Sequence, residues 1–163
     1  MSYQLNLEKF VETSLAVRDR TPIDVYFHLV EELGEVSVVI NRPEKADEAL
    51  SGELADVLSC TLDIGMRALG RPLALTPMSV IKLIDNDDSI DVLFLKLSYN
   101  VGRLASELSN PSQDDDFELE YLLNTISLYA LTIYVKEYGY DYSELQMQLD
   151  KKCAKWLVVA GAK

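Results

Sequence analysis

Five carboxylates in this chain have the types and spacing to do chemistry. Glu31, Glu32 and Glu35 sit in the run His28-Leu29-Val30-Glu31-Glu32-Leu33-Gly34-Glu35, and Glu53 and Asp56 stand three apart further on. On a helix at about 100° per residue the three glutamates fall within an arc of roughly 100°, with Leu29, Val30, Leu33 and Val36 mostly away from it. Glu53 and Asp56 share a face by the same geometry. If the connection through Arg42-Pro43 folds the two helices against each other, four or five carboxylates converge in one cleft. At neutral pH they repel one another unless a cation sits among them. Oxygen ligands with no Cys or His suit Mg²⁺ or Mn²⁺ rather than zinc. The bland alternative is a solvated charged face, the usual fate of an acidic stripe, and it is the second pair of acids that favours a metal site.

The elements that must position these groups are helices. Glycine and proline are scarce, 7 and 5 in 163 residues, and they fall between apolar-periodic stretches. Leu5 to about Val17 predicts a short amphipathic helix with Leu7, Phe10, Val11 and Leu15 towards a core. Thr21-Pro22-Ile23-Asp24 is a start signal, with Thr as N-cap, Pro at the first helical position and an acid in the first turn. That second helix should run to about Asn41. A third is expected from about Glu44 to Leu69, with Gly52 a weak point and Gly70 a C-cap. Arg71 to Leu75 is a linker, and Thr76-Pro77 opens a short fourth helix to Asn86. Leu93 to Leu108, Phe117 to Tyr138, and Asp141 to Trp156 complete the set, with a loop from Asn110 to Asp116.

The second half repeats this plan. Gly34 aligns with Gly102 at an offset of 68, while Gly70 with Gly139 and Lys82 with Lys151 need 69, a near-constant spacing that argues for internal duplication. Under that alignment Glu31, Glu32 and Glu35 map onto Tyr99, Asn100 and Arg103, and the region of Glu53 and Asp56 onto Tyr121 and Asn124. The second half has lost the acids, so it should complete the bundle rather than hold a second metal. The expected architecture is a single all-α domain over residues 1–163, an antiparallel helical bundle with a motif-bearing repeat at 21–87 and a degenerate second repeat at 88–157.

Composition narrows the partners. With 27 acids against 15 bases the net charge is −12, which argues against nucleic acid or anionic membrane as partners of the surface as a whole. With 48% apolar residues the chain can bury a core of its own. No apolar run approaches a membrane span, and Met1 to Asn6 lacks a basic region followed by an apolar core, so a cytoplasmic protein is expected. Cys60 and Cys153 lack metal-type spacing and read as two reduced, buried thiols.

Glu31-Glu32-x-x-Glu35 followed by Glu53-x-x-Asp56 resembles the signature of the all-α nucleoside triphosphate pyrophosphohydrolases. This MazG-like superfamily also includes dimeric dUTPases and phosphoribosyl-ATP pyrophosphohydrolases. The resemblance extends to Ala68-Leu69-Gly70 and Lys82-x-x-x-Asn86, about Pro22 to Asn86 and half the chain. The Arg that usually trails the last motif is absent, with Ser89 and Ile90 near its place. Lys151, Lys152, Lys155 and Trp156 look like a weaker copy of the same tail.

The resemblance implies Mg²⁺ held by Glu32, Glu35, Glu53 and Asp56, with Glu31 a further ligand or a group just behind them. It implies hydrolysis of a nucleoside triphosphate, or of a modified nucleotide, to the monophosphate and pyrophosphate. Glu32 by preference takes the proton of the attacking water. Lys82 and Asn86 would bind substrate phosphates, with Lys96, Arg103 or Lys151 as outside candidates. Such enzymes need helices from a neighbouring unit, so a homodimer or higher homo-oligomer is expected. The phosphoribosyl-ATP branch ranks lower, because Val57-Leu58-Ser59-Cys60 lacks its Tyr-His pair. Two other classes stay open: a non-catalytic nucleotide- or metal-binding protein whose site has decayed, and a helical assembly module. Among single residues, His28 reads as a hydrogen-bonded boundary residue, Asp63, two turns after Asp56, as the cap of a neighbour or a hydrated acid before a metal ligand, and Arg103 as a phosphate ligand or a partner of Glu107.

Overall fold

In the computed structural model, residues 5–17, 20–46, 48–73, 87–110 and 115–159 are described. Among them the chain forms α1 (Glu8–Ala16), α2 (Pro22–Asn41), α3 (Leu50–Leu69), α4 (Ile90–Ser109), α5 (Asp115–Tyr138) and α6 (Ser143–Val159), a 3₁₀ turn at Pro43–Lys45, and no strand. The all-α bundle expected from the sequence is the fold observed. The short helix expected between Thr76 and Asn86 lies outside the described residues. None of the described helices is long and apolar enough to cross a membrane.

Local chemistry sets the helix ends. At the start of α2, Thr21 accepts the backbone N–H of Asp24 at 3.2 Å while Asp24 accepts that of Thr21 at 2.8 Å, a reciprocal capping box with Pro22 inside it. Gly70 ends α3 in the left-handed region, with φ 67°. A Cβ there would meet no atom within 4 Å, so the cost of Gly70→Ala is backbone strain alone. A loss of about 1 kcal/mol is expected in urea denaturation. An unchanged midpoint would mean that the cap is not needed.

The third helix begins later than its sequence pattern suggests. Pro43 starts only a single 3₁₀ turn, the chain becomes extended at Ala46, and α3 opens at Leu50 with Ala49 as an N-cap that supplies no side-chain hydrogen bond. The extra loop lets α3 run back along α2.

Helix α3 is the axis of the molecule. Every residue from Leu50 to Gly65 is buried, because α2, α5, α6 and α1 all pack on it. Ser59 and Thr61 tolerate this by bonding the carbonyls of Ala55 and Val57, each at 2.7 Å. Four helices close a ring in which α2 packs on α3, α3 on α5, α5 on α4 and α4 on α2. Ion pairs mark the antiparallel directions: Arg71, just past α3, meets Glu120 near the start of α5 at 2.8 Å, and Arg103 late in α4 meets Glu118 early in α5. The bounds of α4 stand 68 residues after those of α2 at both ends, and their N-caps, Thr21 and Ser89, share that offset. Gly139 has φ 79° one helix later, 69 residues after Gly70. Cys60 and Cys153 are free and buried, and burial pushes both thiols up from their ordinary pKa.

Candidate metal centre

Three of the five acids come together where α2 and α3 run side by side. One carboxylate oxygen from each of Glu32, Glu35 and Glu53 lies within 4.8 Å of the others. Glu32 and Glu35 project from the second half of α2, and Glu53 from the first turn of α3, so the antiparallel pairing sets them face to face. Glu53 is only 2% exposed, and its Oε2 is buried without a hydrogen-bond partner. Oxygens around an octahedral Mg²⁺ with bonds of about 2.1 Å stand at most about 4.2 Å apart, so side-chain shifts of about an ångström would close the set on an ion.

The electrostatics record the crowding. Burial, then the negative charges of Asp56 and Glu35, push the Glu32 carboxyl up to about 7, with Lys152 pulling the other way. For Glu53 burial again leads, followed by the charge of Glu35 and a hydrogen bond shared with it, and its pKa rises to about 8. Carboxyls raised in this way would give up their protons to a divalent ion.

Asp56, one turn beyond Glu53, is 8% exposed and stands against the same cluster. Its Oδ2 is bound to the ammonium of Lys152, which reaches in from α6 and also approaches Glu48 at 3.5 Å. Burial raises the pKa of Asp56 and the lysine only partly offsets it. For Lys152 burial opposes the charge, but the hydrogen bond and charge of Asp56 outweigh it and raise the pKa. The second half of the chain therefore does reach the cluster, through a lysine.

Glu31 does not join. Its carboxylate turns outward to His28 Nδ1 at 3.2 Å, with a side chain 70% exposed, and touches the cluster only as a distant charge on Glu32. Glu31→Gln is expected to leave Mg²⁺ affinity, measured by calorimetry, within about twofold, the range of an exposed charge. A tenfold loss would make it a ligand. Lys82 and Asn86, the expected phosphate residues, lie outside the described residues. Arg103 is engaged by Glu118 and Lys96 by Asp88. Asp63 is bound by Ser14 and Arg67, well away from any metal role.

The residues not singled out as ligands or phosphate contacts by sequence are Lys152 and Glu48. Gln148, Lys151, Lys152 and Lys155 do fall on one helical face by their spacing, but nothing in that spacing says which helix they meet. No family model, curated protein or solved structure matches this chain.

Proposed function

We propose that this chain is a Mg²⁺-dependent pyrophosphohydrolase that converts a nucleoside triphosphate, or a modified nucleotide, to the monophosphate and pyrophosphate, as its resemblance to the MazG-like enzymes implies. The observation that carries the reading is the facing trio of Glu32, Glu35 and Glu53, with a buried and unpartnered oxygen on Glu53. A carboxylate oxygen buried with no donor is costly unless a cation answers it. The all-oxygen donor set fits Mg²⁺, with Mn²⁺ an acceptable substitute.

The ion, when bound, would neutralise phosphate charge and lower the pKa of a water at the α-phosphorus. Glu32, half-buried in the cluster, is the carboxylate preferred to take the proton from that water. Lys152 holds Asp56 in place beside it. Self-association belongs to the same reading: Phe27 on α2 and Leu95 and Tyr99 on α4 are more than 60% exposed on two helices that pack side by side. Sedimentation should find a dimer or larger oligomer.

The test is pyrophosphate release from a panel of ribo- and deoxyribonucleoside triphosphates with Mg²⁺, with Mn²⁺ and with chelator. Metal-dependent release of pyrophosphate rather than phosphate from any of them, lost in Glu35→Gln, is the expected result. The second reading, a non-catalytic nucleotide- or metal-binding protein, draws on the Asp56–Lys152 pair, which already answers one acid with a protein cation. Tight nucleotide binding with no pyrophosphate released would favour it.

A further inference from the structure

A cavity of about 340 Å³ opens between α6 and the start of α3, lined by Gln148, Lys151, Lys152 and Lys155 on one side and Glu48, Ala49 and Gly52 on the other. Three ammonium groups on one wall are an exception in a chain of net charge −12. The opposite wall is the first turn of α3, whose N-cap Ala49 supplies no side-chain acceptor; the Glu48 carboxylate stands at this helix end, 3.5 Å from Lys152, and leaves Lys151 and Lys155 as the cations it does not answer. Gly52 has no side chain to fill it, and a Cβ there would come within 2.6 Å of Glu48 Oε2. Lys151 and Lys155 form no ion pair among the described residues; Lys151 has only a 3.4 Å contact with Gln148. The volume lies at the small end of ligand pockets.

The position of this cavity matters more than its charge. Lys152 lines it and also binds Asp56, so one side chain separates it from the carboxylate cluster. We propose that this cavity is the subsite for the β- and γ-phosphates of the substrate, which makes α6, in the second half of the chain, the element that binds the leaving pyrophosphate. The proposal rests on the pyrophosphohydrolase reading and adds a direction to it. The phosphate chain lies from the carboxylates towards Lys151 and Lys155, and the nucleoside lies on the opposite side of the cluster.

The chemistry balances in that orientation. The water oxygen forms a bond to the α-phosphorus, the bond from that phosphorus to the α–β bridging oxygen breaks, and the electron pair leaves with pyrophosphate. Glu32 takes the water proton. Lysine ammonium groups stabilise the charge that gathers on the departing oxygens.

The probe is inorganic pyrophosphate, titrated calorimetrically into the whole protein in metal-free buffer at two salt concentrations. Wild type should bind it, more weakly at high salt, and the double variant Lys151→Ala/Lys155→Ala should lose about tenfold or more in affinity. Both lysines are exposed, so the variant should melt like wild type. In turnover assays it should raise KM for the triphosphate and relieve inhibition by pyrophosphate, while inhibition by the monophosphate is unchanged. Failure of wild type to bind pyrophosphate, or equal binding by the double variant, would overturn the subsite. Absence of turnover would instead overturn the hydrolase reading, and loss of pyrophosphate binding in the double variant would still support an anion site here.

Discussion

Glu53→Gln is expected to abolish metal-dependent pyrophosphate release and, in chelator, to make the protein more stable than wild type. The two effects have opposite signs because they draw on the same feature. Glu53 is 2% exposed, faces Glu35, and keeps one oxygen without a partner. An ion recovers that cost; without one, the carboxylate is a buried like charge. Glutamine keeps the size and supplies an amide that can donate to Glu35 in place of the shared proton. Loss of a ligand should cost on the order of 100-fold or more in turnover. Relief of repulsion should add about 1–2 kcal/mol at pH 8, which for a chain of this size is about 2–6 °C in melting temperature. Retained turnover would remove Glu53 from the ligand set. A lower melting temperature would refute the electrostatic account.

The same carboxyl sets a pH dependence. Glu53 titrates near 4.5 unfolded and at about 8 folded, and Glu32 rises to about 7, so between these values the folded chain holds more protons than the unfolded one. Stability in chelator should therefore fall as pH rises from about 4.5 to about 8 and level off above. On the proposed reading Mg²⁺ would bind only the folded cluster and compete with those protons, so the gain in melting temperature it produces should widen across the same window. In Glu53→Gln both slopes should shrink. Thermal melts at pH 5, 6.5 and 8.5, with and without Mg²⁺, measure all of this.

What was legible in the sequence is what depends on near neighbours. Thr21, Pro22 and Asp24 cap α2 through contacts three residues apart, and Gly70 and Gly139 end their helices by a backbone preference of their own. The facing of Glu32 and Glu35 with Glu53 needed only helical spacing and a hairpin. Spacing alone does not say which glutamate turns inward, because Glu31 and Glu32 are neighbours within one arc and the tilt of α2 on α3 decides between them; only the resemblance set Glu32 ahead of Glu31. The late start of α3 follows from the break at Ala46, whose extended backbone no helix propensity marks. Lys152 meets Asp56 from 96 positions away, and no spacing rule reaches that far. Asp63 was legible as a residue that binds a neighbour; Arg67 stands one turn on along the same helix, a pairing that spacing allows, whereas Ser14 emerged only once α1 was laid against α3.

Arg67→Ala should be among the most damaging single substitutions outside the carboxylate cluster, at about 3–5 kcal/mol, the usual cost of stranding one partner of a buried ion pair. Asp63 is fully buried, and Arg67 Nε donates to it at 2.9 Å while Ser14 Oγ donates to its other oxygen. The remaining guanidinium nitrogens donate to the carbonyls of Arg20 at 2.9 Å and Val17 at 2.6 Å. One side chain thus satisfies the buried acid on α3 and ties down the chain between α1 and α2. Alanine leaves Asp63 with a single donor, and the cost is a large share of the 5–15 kcal/mol that holds a domain folded. Asp63→Asn/Arg67→Met removes both charges and should cost clearly less than Arg67→Ala, because no buried charge is left alone. Urea denaturation separates the two, and a loss below about 1 kcal/mol for Arg67→Ala would mean that the pair is hydrated like a surface one. Mg²⁺ affinity of the folded variant should stay as in wild type, since Asp63 faces α1 and not the carboxylate cluster.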